Sequence, residues 1–244
     1  MERLYSIAGL TVAMDCHGRT EQQAQAYICA ESKDPDISLS REEIGRLLDW
    51  FHSEYPEFPD DLCEYYASGM VFYRKLLDHG GLQLHSSTVV VDGYAYAFTA
   101  DCGTGKSTHT QLWLDRFGYR AYILNDDKPA LRFEDGVWYA YGTPWSGKHD
   151  ISRNARVPLA GIAVVERSEK NEILPFQGIS AIHGILKQVH RPRSAQYRVK
   201  LMELLDKLIS TVPVWKLRCN MDPQAAEVAY ESMCGKTCIE GEKL

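Results

Sequence analysis

Our fold prediction for this chain of 244 residues rests mainly on one stretch, Ala100-Asp101-Cys102-Gly103-Thr104-Gly105-Lys106-Ser107-Thr108. A strand pattern precedes it at Tyr94–Thr99, and a helical pattern follows over Ser107–Phe117. In the motif G-x-x-x-x-G-K-[ST], such a loop lets backbone N–H groups surround nucleotide phosphates, and the helix N-terminus adds partial positive charge. The stretch departs from the motif at Ala100, where a glycine would stand. We predict a phosphate loop here.

The predicted loop supplies both binding and catalytic groups. Lys106 is placed to reach the β and γ phosphates, and the Ser107 hydroxyl is placed to bind magnesium. The sequence therefore predicts ATP and Mg²⁺ as ligands. The predicted phosphate contacts come from Asp101, Cys102, Gly103, Thr104, Gly105, Lys106, Ser107 and Thr108.

Two adjacent carboxylates form the second part of the predicted site. Asp126 and Asp127 follow the apolar strand Arg120–Leu124. Alone, such a pair is typical of a solvated turn. Beside a phosphate loop, one carboxylate can hold magnesium while the other accepts a proton from an attacking hydroxyl. We therefore include both acids among the candidate catalytic residues.

The composition narrows the class of protein and of partner. With 45% hydrophobic and 25% charged residues, the chain is typical of a soluble globular protein. Its net charge of -6 and its lack of a long basic run argue against a nucleic-acid partner. Apolar runs such as Pro158–Val165 are far shorter than the ~20 residues that span a bilayer, so we expect no membrane association.

Cysteine usage indicates the compartment. The seven cysteines are an odd number, widely scattered, in a chain large enough to fold without disulfides, which favours reduced thiols and a cytoplasmic location. Cys234 and Cys238 lack a second cysteine pair, so we interpret them as part of a C-terminal tail rather than as a metal or redox site.

Residues 1–80 are predicted to form a small α+β region. Leu4–Met14 and Ala24–Ala30 read as paired strands around a turn. Ser40 with Glu43 is a capping box that opens a helix, and a second helix is predicted from about Leu62 to Asp78.

Residues 81–244 are predicted to form the core of an α/β protein. Asp92-Gly93 and Glu134-Asp135-Gly136 mark two hairpins. A buried-type strand is expected at Leu159–Val165. Further elements are expected at Ala181–Val189 (helix), Lys200–Ser210 (helix), Val214–Leu217 (strand) and Pro223–Met233 (helix).

The order and spacing of Leu84-His85, Ala100–Thr108 and Asn125-Asp126-Asp127 resemble the HPr kinase/phosphorylase group. This group looks like a branch of the phosphoenolpyruvate carboxykinase-like P-loop superfamily. Three later blocks are also similar to relatives of HPr kinase, and the resemblance covers about residues 80–233. These blocks are Gly142–Lys148, Val157–Arg167 and Val212–Leu217.

The resemblance implies a mixed-sheet P-loop kinase core that uses ATP and magnesium, and it makes a homo-oligomer possible. Carried over, Lys106 would stabilise the transferring phosphoryl group, and Ser107 with Asp126 would hold the metal. Asp127 would be the general base, although the reverse assignment of the two acids is also open. His85 would lie near the transferred phosphate. The E-x-R-G-x-G block that docks HPr is not evident, which puts HPr itself in doubt as a substrate.

Two further segments have open interpretations. Around Gly142–Lys148, Lys148 could meet phosphate and Trp145 could stack on a substrate, or the segment could be a tight turn with Trp145 in the core. Arg191 and Arg193 could form a basic loop over the site or a solvated linker.

The sequence therefore predicts a phosphotransferase acting on a hydroxyl of a small metabolite or of a serine in a peptide or protein. ATP is the expected donor, with ADP or pyrophosphate as alternatives. Two other hypotheses remain: a regulatory protein that binds nucleotide without turnover, and a phosphorylase acting in the reverse direction. The acceptor itself is not identified by any motif.

Overall fold

The computed structural model describes residues 3–30 and 34–234, and it shows a mixed α/β protein. The strands are β1 (Arg3–Ile7), β2 (Leu10–Met14), β3 (Ile37–Leu39), β4 (Gly81–Gln83), β5 (Ser86–Val91), β6 (Tyr94–Thr99), β7 (Ala121–Asp127), β8 (Ala130–Glu134), β9 (Val137–Tyr141), β10 (Arg156–Arg167), β11 (Glu172–Pro175) and β12 (Val214–Cys219). The α-helices are α1 (Gly18–Ala24), α2 (Arg41–Glu54), α3 (Asp60–Leu76), α4 (Lys106–Phe117), α5 (Gly178–Leu186), α6 (Ala195–Thr211) and α7 (Gln224–Cys234).

The N-terminal sheet contains β1, β2 and β3, and it corrects one prediction. The hairpin turns at Ala8 and Gly9, inside the stretch that we expected to be one strand. The predicted partner strand Ala24–Ala30 is instead the end of α1 followed by a 3-10 turn, Gln25–Tyr27. Strand β3 pairs parallel to β2 in its place. The alternating apolar residues that suggested a strand pack α1 and its turn into the core through Ala24 and Tyr27.

The larger sheet is mixed, with the strand order β4-β8-β9-β10-β6-β5-β7, and β12 and β11 extend from β10. Parallel pairs join β10 to both β6 and β12, whereas β5 runs antiparallel between β6 and β7. The antiparallel hairpins predicted at Asp92-Gly93 and Glu134-Asp135-Gly136 are both confirmed, as β5–β6 and β8–β9. This order brings the ends of β6 and β7 to the same edge, one strand apart.

Helices α3, α4 and α7 begin and end within two residues of the prediction. Helix α5 begins three residues and α6 five residues before the predicted start, and α1 has no counterpart in the prediction. The Ser40 hydroxyl accepts a hydrogen bond from the Glu43 N–H, as the capping box predicts. Helix α4 follows β6 after a short loop, and α7 begins after Asp222, whose carboxylate accepts from the Gln224 N–H. Strand β10 is longer than the predicted Leu159–Val165 because its outer residues also pair, with β9 and β12.

Three groups of buried apolar side chains form the core. One lies between the N-terminal sheet and α3 and also includes Tyr141 and Trp145 from the later part of the chain. The other two lie on opposite faces of the large sheet, under α5 and α6 and under α4 and α7. Within the described ranges, no helix is long and apolar enough to cross a membrane.

The division of the chain at residue 80 remains a prediction. The thiols of Cys16, Cys63, Cys102 and Cys219 are not oxidised to disulfides. The pair formed by Cys234 and Cys238 cannot be compared with the structure, because Cys238 lies outside the described residues.

Candidate active site

A glycine-rich loop connects the end of β6 to the start of α4. Its backbone turns through Gly103 (φ 76°) and Gly105 (φ 121°), which an L side chain would strain, so glycine is needed at both positions. The guanidinium of Arg167, at the end of β10, donates to the carbonyls of Gly103 and Thr104, the latter at 3.1 Å. The neighbouring strand therefore supports the loop from one side.

Lys106, the first residue of α4, lies inside this loop. The residue is 9% exposed, and its ammonium donates to the Ala100 carbonyl at 3.0 Å. Burial lowers the pKa of Lys106, and the negative charges of Asp127 and Asp126 oppose that change. The loop thus holds a cation in a poorly hydrated position, where its interaction with an anion is strong.

Ser107 and Asp126 meet across the space between α4 and β7. The Ser107 hydroxyl donates to the Asp126 carboxylate at 2.8 Å, and Asp126 is only 6% exposed. Strand β7 carries a bulge opposite Thr88 and Val89 of β5, just before Asn125. The bulge changes the direction of the strand where its two acids face the loop.

Two side chains, His85 and Lys128, contact the Asp127 carboxylate. His85 Nε2 lies 2.9 Å from one carboxylate oxygen, and the Lys128 ammonium contacts the other. Burial raises the pKa of Asp127, but the hydrogen bond from His85 and the charge of Lys128 outweigh it, so the pKa lies well below its usual range. The φ of Asp127 is 127°, a strained backbone held by the surroundings.

The structure adds a residue that sequence reasoning missed. Gln188 follows α5, and its side-chain oxygen lies 3.0 Å from His85 Nδ1 while its amide nitrogen donates to Asp101 at 2.9 Å. Gln188 thereby joins the glycine-rich loop to the histidine beside Asp127. No sequence motif indicates Gln188. It reaches His85 because Leu84 and Val189, which are 105 positions apart in sequence, form an isolated β-bridge.

The segment 142–150 borders the site from the side of α3. Trp145 is 1% exposed, stacks on Phe72 at 4.8 Å and donates to the Ser68 hydroxyl, so the ring is anchored in the interior. Lys148 is exposed and borders the site. Arg19 of α1 donates to the Gly147 carbonyl at 3.2 Å.

One cavity of about 630 Å³ collects most of the predicted residues. The residues shared between prediction and cavity are His85, Cys102, Gly103, Gly105, Lys106, Ser107, Thr108, Asp126, Asp127 and Lys148. Asp101 and Thr104 line a second cavity on the other side of the loop, and Trp145 lines a third. Arg193 lies over the Trp50 ring at 5.2 Å.

Comparison with known proteins finds similar solved structures but no similar sequence. No family model matches the chain, and no curated protein matches it. Among solved structures, the HPr(Ser) kinase/phosphatase from Coxiella burnetii is similar with a TM-score of 0.36 and 14% sequence identity, covering 66% of this chain and 98% of that one. A likeness at this level establishes no activity, so the function is argued from the geometry of the site.

The donor set fits a magnesium ion that is shared with a phosphate ligand. Mg²⁺ prefers oxygen ligands and is usually held by one or two protein groups together with waters and phosphates. Ser107 and Asp126 offer such oxygens 2.8 Å apart. The part of the chain that the structure describes holds no cluster of three or more His, Cys, Asp or Glu side chains suited to a metal.

Proposed function

We propose that this chain is a magnesium-dependent kinase that transfers the γ-phosphoryl group of ATP to a hydroxyl of a small metabolite or of a serine. One observation carries the proposal: the buried Lys106, the Ser107–Asp126 pair and the Asp127–His85 pair all border one cavity at the glycine-rich loop. A cation, a metal-binding pair and an ionised carboxylate are the groups that phosphoryl transfer requires.

The glycine-rich loop and Lys106 would bind the phosphates. The N–H groups at the start of α4 and the Lys106 ammonium would face the β and γ phosphates, where negative charge develops during transfer. Ser107 and Asp126 would hold magnesium, which neutralises phosphate charge when bound.

Asp127 would orient the acceptor. As an ionised carboxylate, it can accept a hydrogen bond from the acceptor hydroxyl, whose oxygen then attacks the γ-phosphorus while the bond to the bridging oxygen breaks. The transition state is loose, so the proton can pass to Asp127 late in the step. The contact from His85 would hold the carboxylate in one orientation.

The nucleoside would occupy the second cavity, which lies beside the loop. This cavity is about 900 Å³ in volume and borders Asp101 and Thr104. Phe176 offers a ring, and Lys187 and Lys216 offer positive charge on its walls. The presence of such a space next to the loop favours a nucleotide over pyrophosphate as donor.

Two substitutions test the proposal. Lys106→Ala should lower kcat/KM for phosphoryl transfer by about a thousandfold, because the cation facing the transferring group is lost. Asp127→Asn should abolish transfer and retain ATP binding. Both would be measured with γ-labelled ATP in a total cell extract and by equilibrium ATP binding. Lys170→Ala, at an exposed position, is the matched control.

The results of these assays distinguish the proposed kinase from the two other functions. Label transfer that persists in Lys106→Ala or in Asp127→Asn would contradict the proposed site. ATP binding without transfer in the native protein would favour a nucleotide-binding regulatory protein. Release of pyrophosphate that depends on inorganic phosphate and on a phosphoester would reveal the reverse reaction at the same residues.

A further inference from the structure

An aromatic pocket lies beside the candidate active site and is not used by the groups described so far. Its volume is about 360 Å³, within the range of small-molecule sites. Its rings come from α2, from α3 and from the connection between them: Trp50, Phe51, Tyr55, Phe58, Tyr65, Tyr66, Tyr73 and, from the 142–150 segment, Trp145.

The rings form a continuous wall rather than separate patches. Phe51 stacks near Tyr66 with centroids 6.0 Å apart, and Tyr55 stacks on Phe58 at 5.1 Å. Trp50 meets Phe51 edge to face at 4.9 Å. Aromatic groups prefer such offset and edge contacts, so another ring entering this wall would find the same geometry.

The aromatic pocket is continuous with the candidate active site. Tyr66 and Lys128 line both cavities, and the Lys128 ammonium lies 5.4 Å from the centre of the Tyr66 ring. Lys128 directly follows Asp127 and contacts its carboxylate. Its backbone carbonyl accepts from the Tyr73 hydroxyl, which fixes the border between the two cavities. A molecule that spans this border therefore reaches the proposed base from the aromatic side.

The charge of the pocket favours an uncharged occupant. None of the residues that line it is acidic, and its one ammonium, on Lys128, is paired with Asp127. Burial, followed by the charge of Arg74, lowers the pKa of His190 to about 4, so this imidazole is neutral at pH 7. A cation placed here would lose hydration without gaining an opposite charge, and an anion would have to compete with Asp127 for Lys128.

We propose that the acceptor carries an uncharged aromatic ring near its reactive hydroxyl, with the ring in the aromatic pocket and the hydroxyl beyond Lys128 at Asp127. This inference rests on the proposed kinase function and names its acceptor class. The hydroxyl oxygen forms a bond to the γ-phosphorus of ATP, the bond from that phosphorus to the bridging oxygen breaks, and the proton goes to Asp127. The products are ADP and an aryl-alkyl phosphate ester.

Saturation-transfer NMR on the full chain tests the ring site without requiring turnover. The probes are 2-phenylethanol, N-acetyl-Phe-Ser-amide, N-acetyl-Ala-Ser-amide and glycerol. We expect contact with the two ring-bearing probes and not with the other two. Binding of 2-phenylethanol indicates that a free aromatic alcohol suffices, and binding of the Phe-Ser probe alone indicates a peptide serine; both support the ring site. Absence of contact with both ring-bearing probes would overturn it.

Two variants locate the binding. Met70→Trp fills the pocket from α3 and should weaken probe binding at least tenfold. Tyr55→Ala removes a ring that is 39% exposed at the wall and should weaken binding about fivefold with little effect on folding. Tyr119→Ala, at a side chain that is 99% exposed and elsewhere, should bind as the native protein does. Equal binding in all three variants would place the ring elsewhere.

A transfer assay separates the two proposals. If the native protein labels an acceptor in extract and Met70→Trp labels it equally well, while ATP binding is equal in both, the kinase stands and the aromatic pocket does not select its acceptor. If ring binding is lost in Met70→Trp but neither protein transfers phosphate, the ring site stands and the kinase assignment fails.

Discussion

At the scale of single residues, Gln188 is the most informative position, because its one amide contacts both the loop and the histidine beside Asp127. We expect Gln188→Leu to lower kcat about tenfold, since loss of two hydrogen bonds leaves His85 and Asp101 less well oriented, an effect of about 1.4 kcal/mol. KM for the acceptor should change less than kcat. Initial rates over a range of ATP and acceptor concentrations measure both.

The control for Gln188 is Gln111→Leu, which removes an exposed amide that donates to Asp115 on the same helix. Its kcat should stay within twofold of the native value. A long-range ¹H–¹⁵N NMR spectrum of the imidazoles supplies a second readout, because Gln188→Leu should change the His85 ring signals. Unchanged kcat and unchanged His85 signals in Gln188→Leu would show that this amide does not position the site.

At the scale of elements, the sequence predicts best where a local rule decides the structure. The capping box at Ser40 and the hairpin at Asp92-Gly93 depend on residues adjacent in sequence, and both are confirmed. The N-terminal hairpin was mispredicted because its turn, at Ala8, has a weak turn signal and because burial of Tyr27 by tertiary contacts mimics a strand pattern. The glycine-rich loop and the two acids can be predicted from a local motif, whereas the partners of Asp127 on other strands depend on sheet order.

Helix α3 depends on one close approach that its sequence does not reveal. A Cβ at Gly69 would lie 3.0 Å from Trp145 Cδ1, and that ring cannot retreat because Phe72 and Ser68 hold it. We expect Gly69→Ala to lower the free energy of unfolding by about 1–3 kcal/mol despite alanine's better helix propensity. Gly45→Ala in α2 is the control: nothing lies within 4 Å, so it should raise stability by about 0.5–1 kcal/mol. Urea unfolding measures both, and a stabilised Gly69→Ala would show that Trp145 is free to shift.

At the scale of the whole molecule, the N-terminal elements and the later strands share one core and one site border. Tyr65 of α3 donates to the Ser146 carbonyl at 2.9 Å, and Arg19 of α1 reaches the Gly147 carbonyl. The aromatic pocket is built mainly by α2 and α3, whereas the glycine-rich loop and both acids come from the large sheet. Acceptor recognition and phosphate chemistry would thus come from different parts of the chain, which is why motifs in residues 81–244 predict a class of reaction and leave the acceptor open.

Two histidines, His109 and His190, contribute to the pH dependence of global stability between about pH 4 and 6.5. Burial lowers the pKa of His109 to about 4, and burial with the charge of Arg74 does the same for His190. Unfolding returns both to a pKa of ~6.5, so below that pH the unfolded chain binds more protons and stability falls until about pH 4. Each histidine would remove up to ~3 kcal/mol across this window. Above pH 6.5 neither histidine contributes a pH slope to the free energy of unfolding.

His109 accepts a hydrogen bond from Trp113 Nε1 at 3.0 Å, so we choose His109→Gln, which keeps an acceptor. Between pH 7 and 4.5, the free energy of unfolding measured in urea should decline less for His109→Gln than for the native chain. The difference between the two pH slopes should correspond to about one proton. Equal slopes would mean that His109 becomes charged inside the folded protein.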